Sequence, residues 1–366
     1  MSDVSRVNGR EWTAGGLPEI GAVPGFTVVA EIAVQRGAVS GIAVSPDGAR
    51  LMTTNYGDDS VSLIDTANCA VAQTIIDIDE PFAIAMPDTS GSRAYVSTVS
   101  AAYDSILCLD TDANHVVATH PLAYSVTDLA VSPDGRHVYA SRAAVNGTDV
   151  AILDTKTGDD DAISIATTAG TTTECVRVSP DGRRLYVAAN GASNAELVVI
   201  DTRRHRVLNT IEIGSAIRDI ALSPDGATAY VGSCGPDFGT VLDVIDTRTS
   251  AITNTYKFGD TAGVLAQLTV SRDGERAYLV GDRSVTVLST STHDFIGSIV
   301  IDGQPSCAIE SPDGNRLYIA DYAGTVTVLA IASATAPVDA LTSDDEPTVA
   351  NQWALPDLLV LEPTLA

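Results

Sequence analysis

Gly41-Ile42-Ala43-Val44-Ser45-Pro46-Asp47-Gly48-Ala49-Arg50-Leu51-Met52-Thr53-Thr54 decides the fold. A short apolar run, a Pro-Asp-Gly turn and a second apolar run together encode a β-hairpin. Proline presets φ for the first corner of a type I turn, aspartate tolerates the bridge region, and glycine takes the positive φ that follows. Working outward, the same four residues recur as Ser132 to Gly135, Ser179 to Gly182, Ser223 to Gly226 and Ser311 to Gly314. A further copy reads Ser271-Arg272-Asp273-Gly274, and another is stretched as Pro87-Asp88-Thr89-Ser90-Gly91. The marker aspartates fall at 47, 88, 134, 181, 225, 273 and 313, so the intervals are 41, 46, 47, 44, 48 and 40 residues. A period of about 40 to 50 residues is that of propeller blades.

A second marker, Asp-Thr, closes a third strand in each unit: Asp65-Thr66, Asp110-Thr111, Asp154-Thr155, Asp201-Thr202 and Asp246-Thr247, with Ser289-Thr290 in the sixth. A fourth strand then runs out, as in Val207 to Ile213, which makes the unit a four-stranded antiparallel meander. The last repeat stops at Val326-Thr327-Val328-Leu329-Ala330 after three strands, while Thr27 to Val34 resembles a fourth strand and precedes the first complete repeat. Pairing that N-terminal strand with the last blade closes the ring and removes two open sheet edges. The expectation is an all-β chain: a seven-bladed β-propeller over residues 27–332, an N-terminal extension over 1–26, and an acidic C-terminal tail over 333–366 with an apolar end.

Thr54-Asn55-Tyr56-Gly57-Asp58-Asp59-Ser60-Val61-Ser62-Leu63-Ile64-Asp65-Thr66 resembles the YVTN-type β-propeller repeat, and the resemblance runs from about residue 27 to 332. Lactonase-type seven-bladed propellers are more distant relatives of that repeat by architecture. The resemblance implies the fold and brings no catalytic motif with it.

Composition narrows the partners. The formal charge is -26, from 47 acidic against 21 basic residues, and Lys156 and Lys257 are the two lysines. Such a balance repels phosphate backbones and anionic lipid, so neither nucleic acid nor a membrane surface is an expected partner. No stretch approaches the ~20 apolar residues of a membrane helix. Met1 to Phe26 shows no basic and apolar leader pattern, and five cysteines stand singly. The expected setting is the cytoplasm, with reduced thiols.

In a propeller the innermost strands line a central channel, and the loops entering them share a rim with the turns between second and third strands. Sites gather there, because many loops converge on a rigid scaffold. Aligned by distance to the turn, Gly41, Phe82, Asp128, Cys175, Asp219, Gln267 and Cys307 are equivalent, and one place earlier stand Glu174 and Arg218. Glu174, Arg218, Asp128 and Asp219 are therefore the candidate cluster for an acid and base at the mouth. Arg177 and Glu310 are the charges deeper in the strands, where a charge needs a partner or water. The rim turns supply Asn55, Asp58, Asn190, Asn194, Asp237 and Asp321 beside five residues of types enriched at binding hot spots: Tyr56, Tyr103, Arg142, Arg283 and Tyr322. With Arg177 and Gln267 these form the expected contact set.

Catalytic motifs are otherwise missing from the sequence. His115, His205 and His293 fall at the end opposite the rim, His137 begins a second strand and His120 ends an outer one. There is no HxH, HExxH or cysteine pair with zinc spacing, and Asp110 to Asn114 lacks the glycine and glutamate a calcium loop needs, so no metal or cofactor is expected. The expected function is non-catalytic binding or scaffolding, with the rim presented to a protein partner or a small ligand. The alternative is a lactonase-like hydrolase or isomerase using Glu174, Arg218, Asp128 and Asp219. Oligomeric state is not legible.

Overall fold

The computed structural model describes residues 23–332, apart from 35–36, 90–91, 100–102, 123–124, 145–146, 166–169, 193, 235–238 and 260–262. The tail expected over 333–366, most of the extension over 1–26 and Asp237 thus lie outside the described residues. Val23, assigned to the extension, is buried in the same cluster as Phe26 and Tyr278.

Seven four-stranded antiparallel sheets follow one another around a ring, as the repeat predicts. Blade 4 is representative: an innermost strand Thr172–Val178, then Arg184–Asn190, Ala195–Asp201 and the outer Arg206–Ile213. Blades 1, 2, 3, 5, 6 and 7 begin at Val39, Pro81, Ser125, Ala216, Leu265 and Pro305. The outer strand of blade 7 is Phe26–Ala33, paired antiparallel with Thr325–Ile331 from Phe26 opposite Ile331 to Ala33 opposite Thr325. The ring therefore closes with strands from both ends of the propeller.

The hydrophobic core lies between sheets. One cluster joins Cys175, Ala188 and Leu197 of blade 4 to Ile217, Ile220 and Val231 of blade 5, and equivalent clusters fill other seams. Leu185, Leu197 and Ile200 are each 0% exposed. Each such side chain contributes roughly 1.5 to 3 kcal/mol by leaving water.

The turns behave as their residues dictate. Ser179 Oγ donates to Asp181 Oδ1 at 2.6 Å, Asp181 accepts the Arg183 amide at 3.0 Å, and Gly182 takes φ +69°. In the Asp-Thr turn, Asp201 Oδ1 accepts the amides of Arg203 and Arg204, and Thr202 Oγ1 donates to Gly182 O, which ties both turns together. Each of these turns ends on a residue of positive φ: Cys69, Asn114, Gly158, His205, Ser250 and His293 occupy one register. At this end of the ring Arg50, Arg184 and Arg316 each donate from one blade to the carbonyl of the threonine in the next blade's turn: Thr111, Thr247 and Thr66. The last of these crosses the closing seam.

Candidate functional site at the channel mouth

The mouth lies at the other end, where innermost strands begin and second strands turn into third strands. On blades 3, 4 and 5 the structure gathers the four candidate acid and base residues, with Arg177 between them. Arg177 Nη1 pairs with Asp128 Oδ2, and Nη2 reaches Asp219 Oδ1 at 2.6 Å. Burial alone pulls the guanidinium pKa down, but the two carboxylates outweigh it and raise it. Above this bridge, Arg218 Nη1 stands 3.3 Å from Glu174 Oε1, with the side chains 41% and 34% exposed.

Asp128 and Asp219 are occupied by the scaffold itself. Asp128 Oδ2 accepts the Val176 amide of blade 4 at 3.0 Å, and Asp219 Oδ2 accepts the Leu268 amide of blade 6 at 2.8 Å. Gln267, at the equivalent place in blade 6, accepts the Ala308 amide of blade 7 at 2.6 Å. These three side chains therefore join each blade to the next, as Asp104 does to the Val126 amide and Asn190 does to both polar groups of Ile217. The interlocking role was not read from sequence; its signal was a side-chain acceptor at one repeat position of blades 3, 5 and 6.

Electrostatics separate the exposed pair from the buried groups. Burial raises the Asp219 carboxyl, against Arg177. It also pushes Glu174 up, with Arg218 pulling the other way and Asp219 and Asp128 adding to the rise. Cys175 and Cys307, buried in the clusters between blades, are held as thiols by burial, the latter pushed up to about 12. A thiol so raised is a poor nucleophile.

Blades 1 and 2, across the ring, present aromatics. Tyr56 and Phe82 are 38% and 41% exposed and meet edge to face, with centroids 6.3 Å apart. Tyr56 Oη donates to Glu80 Oε2 at 3.1 Å. Tyr103 on blade 2 and Tyr322 on blade 7 are 54% and 45% exposed, and Arg283 on blade 6 is exposed as well. Burial raises the Tyr322 hydroxyl pKa while the Arg218 cation lowers it, which places that tyrosine within the field of the charged side. Phe82 was aligned to the channel but not counted among the expected contacts.

Arg142 departs from expectation. It is 6% exposed, and its guanidinium forks onto Asp149, Nε to Oδ1 at 2.7 Å and Nη2 to Oδ2 at 2.9 Å. The hairpin of blade 3 extends to Ala144 and resumes at Gly147, so Arg142 sits inside the ladder directly opposite Asp149 and not on a turn. Deeper, Glu310 also has a partner, the Tyr278 hydroxyl at 2.9 Å. Among the described residues, no group of three or more His, Cys, Asp or Glu is placed to hold a metal ion. Among the same residues, no helix is long and apolar enough to cross a membrane.

A closed ring of seven four-stranded blades, with charges and aromatics facing each other across one mouth, defines a seven-bladed β-propeller, and the chain belongs to that family of proteins. It is 49% identical, over 382 aligned positions covering 95% of each chain, to the seven-bladed beta-propeller protein Rv1057 of Mycobacterium tuberculosis. Among solved structures, the hydrazine synthase of Kuenenia stuttgartiensis aligns with a TM-score of 0.72 over 86% of this chain and 100% of that chain. At 21% identity this likeness shows the fold alone. No protein-family model matches the chain.

Proposed function

We propose that the chain is a non-catalytic binding module whose channel mouth takes a protein segment or small ligand bearing both an apolar and a charged group. The observation that carries this is the two-sided mouth: Glu174 and Arg218 on one side, Tyr56 and Phe82 on the other. Aromatic and arginine side chains are the types on which binding energy concentrates. Tyr103, Arg283 and Tyr322 extend the surface along the rim, whereas Arg177 and Gln267 act from beneath by holding the blades. The Thr54 to Thr66 repeat supports YVTN-type blades, and the unpaired cysteines suit a reducing cytoplasm.

The test is a double variant, Tyr56→Ala with Tyr322→Ala, assayed for recovery of co-purifying partners and for thermal shifts by metabolites and lactones. Loss of binding with unchanged Tm supports the mouth; undiminished binding removes it. Glu174 favours a second reading, the hydrolase or isomerase, because a carboxyl raised by burial beside an arginine suits a general acid or base. Lactone turnover that disappears in Glu174→Gln would establish that reading in place of the first.

A further inference from the structure

A cavity of about 570 Å³ opens between blades 2 and 3 at the end opposite the mouth, and its walls include Arg93, Tyr95, His120, Thr155, Lys156 and Gly158. Two local departures from the repeat create it. The first is at Gly158. In five other blades the positive-φ position carries a side chain, and in blade 6 that residue, His293, fills the seam with its ring stacked on Tyr256 of blade 5 at 4.7 Å. Gly158 leaves the corresponding space between blades 2 and 3 open, and a Cβ there would come to 3.3 Å from His120 Cε1. His120 occupies in blade 2 the strand position of Tyr256 in blade 5.

The second departure is at Arg93. Of its four arginine counterparts, Arg50, Arg184 and Arg316 donate across their seams to the next blade's threonine carbonyl, while Arg276 lies 5.8 Å over the Phe26 ring. Arg93 Nη1 instead turns back within its own blade to 3.3 Å from Asp110 Oδ2, and this buried nitrogen has no hydrogen-bond acceptor. The bordering aspartate, Asp134, accepts Ser132 Oγ at 2.6 Å and the Arg136 amide at 3.1 Å on Oδ1, and its Oδ2 stands 3.7 Å from Arg136 Nε. Facing the space are two cationic side chains, Arg93 and Lys156, beside the His120 imidazole, while the Thr155 hydroxyl is spent on Gly135 O at 2.8 Å. In a chain of net charge -26 with two lysines, one of them borders this cavity.

We propose that the seam between blades 2 and 3 is a second binding site, for a small organic oxyanion, either a phosphate ester or a carboxylate. The volume lies within the roughly 300 to 1,000 Å³ range of small-molecule pockets and exceeds what a bare phosphate fills. Arg93 and Lys156 supply charge-assisted hydrogen bonds to the anionic end. The Tyr95 edge and the Gly158 backbone receive the body of the ligand.

Calorimetric titration of the whole protein with ribose 5-phosphate, citrate and neutral ribose tests the site. One or both anions bind and ribose does not; the anion that binds tells phosphate from carboxylate. Lys156→Met weakens binding by about tenfold or more, as loss of a charge-assisted bond requires. Gly158→His, which places here the residue that fills the seam before blade 6, abolishes binding with Tm preserved. Should that variant misfold, Lys156→Met and His120→Gln carry the comparison. Arg218→Met, at the mouth, leaves anion binding unchanged. Absence of binding by both anions, equal binding of ribose, indifference to Lys156→Met, or loss of binding in Arg218→Met would each overturn the proposal. The last would move the anion to the mouth.

Discussion

The main-chain amide of Arg272 donates to Glu310 Oε2 at 2.5 Å, and that amide exists because the sixth turn carries arginine where five others carry proline. Proline has no N–H to give. Among the described residues, the one blade junction with a buried glutamate near the turns is thus the one where the turn retains a donor, so two departures from the repeat explain each other.

Arg272→Pro keeps the turn geometry, since proline suits this place in five sister turns, but leaves Glu310 with the Tyr278 hydroxyl alone. An unmet bond to a buried acid costs about 1 to 3 kcal/mol, more than the ~0.4 to 1 kcal/mol gained from a stiffer unfolded chain. Urea denaturation should therefore show a less stable protein. A neutral or stabilised variant would mean that the amide contributes nothing.

Burial raises the Glu310 carboxyl above its ordinary 4.5, so the folded state holds that proton more tightly than the unfolded chain. Its contribution is fully present below 4.5 and is lost as pH rises through the folded value. Stability of Glu310→Gln, followed by denaturant midpoint against pH, should decline less than that of the parent across this window. Parallel curves would refute the assignment.

Acid acts with the opposite sign on the turns. The serine hydroxyl is the leading cause that holds Asp47, Asp134, Asp225 and Asp313 below 3.8. Their stabilisation is complete above 3.8 and disappears as pH falls through the lowered values. Replacing Ser45 and Ser223 with alanine should move acid unfolding to milder pH, as read by far-UV circular dichroism; an unmoved transition would count against the Ser-Asp bond.

Arg177→Met strips Asp128 and Asp219 of their shared cation. Breaking a buried pair typically costs about 3 to 5 kcal/mol, and Asp219 is 3% exposed. Glu174→Gln at the open mouth should stay within about 0.5 kcal/mol, as surface changes do. Equal losses in the two variants would show that the triad has no special structural role.

Deleting residues 27 to 34 uncovers the edge of Thr325–Ile331 along the register seen between the two strands. An open edge recruits other chains, so size-exclusion chromatography should find aggregate. A monomer with unchanged melting would contradict the closure.

Blade number, turn positions and ring closure were all legible in the chain, because each turn is set by residues within a few positions of one another and recurs at a steady period. The convergence of Glu174, Arg177, Arg218, Asp128 and Asp219 was partly legible, since repeat alignment placed them at nearby depths. What the acids do was not. Asp128 meets Val176 and Asp219 meets Leu268 across a blade boundary, a contact between residues 48 and 49 apart that no local pattern marks. Arg142 was misjudged for a related reason: whether a residue belongs to a turn or to the ladder depends on where the hairpin ends, and Asp149 opposite it extends the pairing.

Because Phe26–Ala33 completes the sheet of Thr325–Ile331, the first of the described strands to be translated waits for the last of them. At about 5 to 20 residues per second, the ribosome needs on the order of tens of seconds to deliver the partner. Throughout that interval the nascent chain carries an unmatched strand at one end and a growing stack of blades behind it. Its final sheet is therefore assembled only once synthesis has passed the seventh repeat.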